Sequence, residues 1–108
     1  MAFVRKRSGT FKWPVTVEFP VDGGKFEKEL FDAIFKRIGR SDFQDLADKG
    51  DVDLIEAVLV GWEGMQDEEG DDIPFSHSAL KEQLDDPCWT KGVIAAYLKS
   101  LEGGATKN

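Results

Sequence analysis

An α+β fold, a short N-terminal antiparallel β-hairpin followed by about four α-helices, is what this sequence predicts, on three observations. Residues 13–21 alternate apolar and polar side chains with the period of a half-buried strand. Asp22-Gly23-Gly24 then offers the positive φ that tight hairpin turns require. Beyond residue 40, helix-start signals recur ahead of apolar residues at helical spacing. The 108 residues suit a single domain over 1–108, with flexible ends expected at about 1–8 and 103–108. Chains above about 60 residues often fold without disulfides or metals.

In the first element, Val15, Val17, Phe19 and Val21 fall on one face, with Thr16 and Glu18 on the other. Pro14 and Pro20 bracket it and place it at a sheet edge, because proline donates nothing to the ladder. Residues 25–38 fit two patterns. Phe26, Leu30, Phe31, Ile34, Phe35 and Ile38 form a helical stripe. On a strand, Leu30, Ile34 and Ile38 share a face with Asp32 and Lys36, while Phe31, Ala33 and Phe35 take the other. The spacing alone favours the helix, but a lone strand at 15–21 would leave its backbone groups unpaired. Residues 2–7 could pair with it, yet the Asp-Gly-Gly turn makes a returning strand the more economical partner, and that is expected here.

Ser41-Asp42-Phe43-Gln44 is a capping box, followed by Phe43, Leu46 and Ala47 on one face and Gly50 as the stop. Asp53-Leu54-Ile55-Glu56 is a second, weaker box, with Asp51 as a competing cap. Ile55, Val58, Leu59 and Trp62 then predict an amphipathic helix ending at the tryptophan, with Gly61 and Gly64 permitting chain reversal. Ser76 caps the next helix, with Phe75 and Leu80 spaced as a hydrophobic staple, and this helix ends at Leu84. Asp86 caps the last, with Pro87 in the first position and Trp89, Val93, Ala96, Tyr97 and Ser100 along one face before Gly103-Gly104. Trp62 and Phe75 thus read as the joint between an upstream helix and a C-terminal helix pair.

The net charge of −7 is unevenly distributed. Residues 1–40 hold nine Lys/Arg against five Asp/Glu (+4), and residues 41–108 hold five against sixteen (−11). The acidic half argues against nucleic acid as a partner, since phosphate binding needs clustered Lys and Arg. The three basic residues Arg5-Lys6-Arg7 are too few to specify such a patch. No apolar run approaches the roughly 18 residues that span a bilayer, and no apolar stretch follows the basic start as in a secretory signal. The single Cys88 allows no intramolecular disulfide, which fits a reducing compartment.

Chemistry has few footholds. The only histidine, His77, follows a helix cap, where exposure is the ordinary state. Cys88 lies near a helix start without a partner base, so a small, partly buried core role is expected. The run Asp67-Glu68-Glu69-Gly70-Asp71-Asp72 fails the EF-hand register, because glycine falls at the fourth position and Ser78 at the twelfth. It is read as a solvated acidic turn. No phosphate loop, zinc spacing or dinucleotide fingerprint is present. The sequence therefore assigns no catalytic residue, no metal ligand and no cofactor. Trp13, Trp62, Phe75 and Trp89 remain as partner-binding candidates, because aromatics are enriched at hot spots. The competing role for Trp62, Phe75 and Trp89 is filling the domain's own core, and Trp13, beside a proline, is the aromatic expected to be exposed.

The segments Thr10-Phe11-Lys12-Trp13-Pro14-Val15-Thr16-Val17, Val60-Gly61-Trp62-Glu63-Gly64, Asp67-Glu68-Glu69-Gly70 and Pro74-Phe75-Ser76, with the helix pair that follows, resemble tail assembly chaperones of long-tailed bacteriophages and their prophages. The resemblance covers most of the chain and its motifs are structural. It implies a small, mostly helical, non-catalytic protein of the bacterial cytoplasm, absent from the mature virion. Such proteins bind the tape-measure protein, keep it soluble and help tail-tube protein assemble around it. Related genes often yield a second, longer product by ribosomal frameshifting. Two alternatives stay open: a small structural virion component such as a tail completion or connector protein, and an acidic DNA mimic that inhibits a host protein. The +4 N-terminal part speaks against the mimic.

Overall fold

The computed structural model describes residues 9–102, so the basic cluster at Arg5–Arg7, both expected flexible ends and the Gly103-Gly104 stop lie outside the described residues. Strands β1 (Thr10–Val21) and β2 (Lys25–Lys36) form the expected hairpin, joined through Asp22-Gly23-Gly24 with Gly23 and Gly24 at φ 86° and 74°. The register runs from Val21↔Lys25 at the turn to Thr10↔Lys36 at the open end. Helices α1 (Arg40–Lys49) and α2 (Asp51–Val58) follow, then β3 (Leu59–Glu63), α3 (His77–Leu84) and α4 (Pro87–Glu102). The sheet has the order β1-β2-β3, all antiparallel, and no described helix is long and apolar enough to cross a membrane.

The alternation read from the sequence holds for the central part of the hairpin. Val15 and Val17 on β1 and Phe31, Ala33 and Phe35 on β2 are buried beneath the helices. Val21, expected on the same face, is exposed, as is every residue from Pro20 to Leu30. The outer part of the hairpin runs past the helices that would cover it. Leu30 and Ile34 sit on the opposite face, as the strand reading of 25–38 requires, and Leu30 is 68% exposed.

Both prolines of β1 fall at even positions. A proline nitrogen has no hydrogen to give β2, so the even residues of β1 direct their backbone groups to the free edge. Two of that edge's donors are thereby missing. Helix α4 covers a third stretch: a Cβ built on Gly92 would stand 2.7 Å from the Thr16 carbonyl oxygen and 3.1 Å from Val17 Cγ2. The edge is blunted by chemistry at Pro14 and Pro20 and by a helix at Thr16, which disfavours pairing with another chain.

The third strand corrects the sequence reading. Ile55, Val58, Leu59 and Trp62 were expected on one continuous helix, but α2 ends at Val58 and Leu59 is already extended, at φ −92° and ψ 111°. Pairing is broken between Ile34 and Phe35, where Leu59 opposes Phe35 and Gly61 opposes Ile34, leaving Val60 as an extra residue. This bulge brings Leu59 and Trp62, three apart, onto the same buried face. A three-residue spacing that reads as helix is thus equally the signature of a bulged strand, and the strand prevails because it satisfies the second edge of β2.

Helix starts divide between side-chain and backbone solutions. Ser76 Oγ accepts from Ala79 N–H at 3.0 Å and Asp86 Oδ1 from Cys88 N–H at 2.9 Å, as expected. At α1 the expected Ser41 box lies inside the helix, because Gly39 occupies the cap and its carbonyl accepts from Phe43 N–H at 2.9 Å. Neither Asp51 nor Asp53 caps α2. Gly50, at φ 124°, closes α1 through its N–H to Leu46 and Ala47 and opens α2 through its carbonyl to Leu54 N–H. Such a φ strains any side-chain-bearing residue, so one glycine replaces the separate stop and cap.

Two stability tests follow from this packing. Gly92→Ala gains helix propensity worth about 1 kcal/mol but drives a methyl into the β1 backbone, so a net loss of about 1–2 kcal/mol is expected in urea denaturation. An unchanged or raised midpoint would mean that α4 does not seat on β1. Tyr97 is the only tyrosine and is buried on α4, and burial raises its phenol above the ordinary 10.0. The folded state therefore holds this proton more tightly than the unfolded chain. Its contribution to stability is complete below the unfolded value and is lost as pH rises through the folded one. Tyrosinate absorbance should titrate at higher pH in buffer than in denaturant; coincident curves would refute the burial.

Candidate functional site

Trp62 gathers the candidate aromatics. Its ring meets Phe75 at 4.8 Å between centroids and 81°, Trp89 at 6.1 Å and 81°, and Phe31 at 6.4 Å and 84°, all edge-to-face. Phe31 and Trp89 stack at 5.9 Å with planes 4° apart. Sheet, α4 and the segment before α3 thus share one aromatic cluster, the offset and edge-on arrangements that ring quadrupoles favour. Trp62 and Trp89 are 7% and 3% exposed, so both fill the domain's own core, while Phe75 is half-buried beside them. Trp13 is not brought to this cluster. It packs edge-on against Phe11 at 6.3 Å, half-buried rather than exposed.

Trp62 also closes the acidic turn. Its Nε1–H donates to the Ile73 carbonyl at 2.7 Å, and Ile73 N–H donates to the Met65 carbonyl at 2.8 Å. Within the neck so formed, Asp67 Oδ1 accepts from Glu69 N–H at 2.9 Å and Asp71 N–H at 3.0 Å, and Gly70 turns the chain at φ 85°. Asp67, Glu69 and Asp71 bring one carboxylate oxygen each within 4.8 Å of one another, all exposed. The convergence follows from one aspartate capping the amides of its own turn. His77 is exposed at the start of α3, and Cys88 is half-buried at the core margin, as the sequence suggested.

Beside the cluster lies an open cleft of about 460 Å³. One wall is the hairpin, through Val17, Phe19, Glu29, Leu30 and Phe31; another is the chain from Gly64 to Glu68 with Ile73; the third is the α3–α4 corner, through Glu82, Gln83 and Trp89. Of this lining the sequence pointed to Trp89 and to Asp67 and Glu68 as part of the acidic turn, but not to Glu29 or Glu82. Glu29 and Glu82 lie 53 positions apart with no local pattern joining them. Across the other sheet face, Lys12 Nζ reaches Glu63 at 2.8 Å and Lys28 reaches Glu18 at 4.0 Å. The hydrogen bond to Glu63, then its charge, raises the Lys12 pKa above its usual value.

Comparison with family models, with curated proteins and with solved structures finds no match to this chain.

The Trp62 junction is open to a direct test. Trp62→Ala removes a buried indole, three ring contacts and the bond to Ile73, and is expected to cost about 3–5 kcal/mol in denaturant unfolding. A Trp62→Ala chain as stable as the parent would show that the indole is a contact residue rather than the junction.

Proposed function

We propose that this chain is a non-catalytic tail assembly chaperone of a long-tailed bacteriophage or prophage. In this reading it holds the tape-measure protein in the bacterial cytoplasm, assists tail-tube assembly around it and is left out of the finished virion. One observation carries the reading. Of the segments that resemble this family, Val60–Gly64, Asp67–Gly70 and Pro74–Ser76 together supply β3, the closed turn and the Trp62–Phe75 contact, and Thr10–Val17 supplies the β1 strand of the same sheet.

The surface suits holding another protein. Phe26 and Leu30 are 63% and 68% exposed on the sheet face that no helix covers. A holding protein needs apolar surface for its client and net charge for its own solubility; Phe26 and Leu30 offer the first and a charge of −7 the second. Co-expression with a tape-measure protein is expected to move that client from the pellet to the soluble fraction. Equal aggregation with and without this chain would overturn the reading. Recovery of the chain in purified particles would assign it to the virion instead.

A further inference from the structure

We infer that the cleft between the hairpin, the acidic turn and the α3–α4 corner is a docking site for a basic amphipathic peptide segment of a protein partner. The inference goes beyond the chaperone reading, because it is argued from the lining residues and holds whichever protein supplies the segment.

Two features of the cleft define its occupant. Its floor is apolar and preformed: Val17, Phe31, Met65 and Trp89 are all buried side chains whose outer atoms line the space. Half-buried Phe19 lines the hairpin wall beside them. The volume of about 460 Å³ falls within the range of about 300–1,000 Å³ in which proteins seat ligand groups. Met65 adds a flexible, polarisable thioether that accommodates different apolar shapes.

The rim has one sign of charge. Glu29, Asp67, Glu68 and Glu82 surround the floor, all four exposed, and no described lysine or arginine lines it. Neither described ion pair, Lys12–Glu63 nor Lys28–Glu18, uses any of the four. Asp67 gives one oxygen to its own turn, which leaves Glu29, Glu68 and Glu82 facing solvent on three different walls. An apolar floor ringed by uncompensated carboxylates complements an apolar side chain flanked by lysine or arginine, and it repels an acidic segment. Trp89 lines this floor with its ring, while its Nε1 is buried without a partner among the described residues.

The test uses a short fluorescent peptide of leucine and lysine in helical spacing, titrated into the full chain and read by anisotropy at low salt. Saturable binding is expected, with Ser/Lys and Leu/Glu counterparts binding at least about tenfold more weakly. Glu29→Gln with Glu82→Gln should weaken the Leu/Lys peptide by about tenfold, and the Trp89 indole N–H signal should shift on binding while that of Trp13 stays put. Asp45→Asn with Asp48→Asn on α1 removes the same charge away from the cleft and should leave affinity nearly unchanged. Equal loss from the α1 pair, or equal binding of the Ser/Lys peptide, would reduce the effect to general attraction by an acidic chain and overturn the site. Peptide binding and client solubility are measured separately, so a chain that keeps its client soluble yet binds no Leu/Lys peptide overturns the cleft alone.

Discussion

The indole of Trp62 is where the sheet, the acidic turn and the helix pair meet. Placed on β3 by pairing with Ala33, its ring reaches Phe31, Phe75 and Trp89, and its one polar atom fastens Ile73 at the neck of the turn. No neighbouring residue type would do both jobs. A phenylalanine would keep the edge-on contacts and leave the Ile73 carbonyl without this donor. The cleft inherits its floor from the same arrangement, because Phe31 and Trp89 are held in a stack by Trp62 standing against both.

That placement depends on a single irregularity. Without the extra residue Val60, a regular strand would turn Leu59 and Trp62 to opposite faces, and one of the two would leave the core. Gly61 supports the crossing: a Cβ there would press against Ile34 Cδ1 at 3.3 Å, so the side chain of β2 lies down over the bare backbone of β3. The junction that the sequence placed between an upstream helix and a helix pair is therefore one between a sheet edge and that helix pair.

What could be read from the sequence was whatever is decided locally. The hairpin followed from alternation, two prolines and Asp-Gly-Gly; the starts of α3 and α4 followed from Ser76 and Asp86, whose side chains bond amides two or three residues on. The strand form of 25–38 was legible only through the need of β1 for a partner. β3 was not legible, because a bulged strand and a helix present the same spacing at Leu59 and Trp62, and the pairing that decides between them is with residues far upstream. Gly50 was legible as the stop of α1, but the N-caps that Gly39 and Gly50 supply carry no side chain to announce them. For the site, Trp62, Phe75 and Trp89 were visible as large aromatics, but the carboxylate rim is assembled from β2, the turn and α3, and no window of sequence contains it.

The shared glycine between α1 and α2 has a consequence for how the fold breathes. Helix α1 has no fully buried residue and rests on the rest of the domain through partly covered side chains such as Phe43, whose ring lies 6.3 Å from Tyr97. Gly50 is the one residue between it and α2, already in a conformation that few others adopt. Rotation there would lift α1 away while α2, β3 and the aromatic cluster keep their contacts. Amide protons of α1 would then exchange with solvent through a local opening below the free energy of global unfolding, with this helix as a cooperative unit of its own.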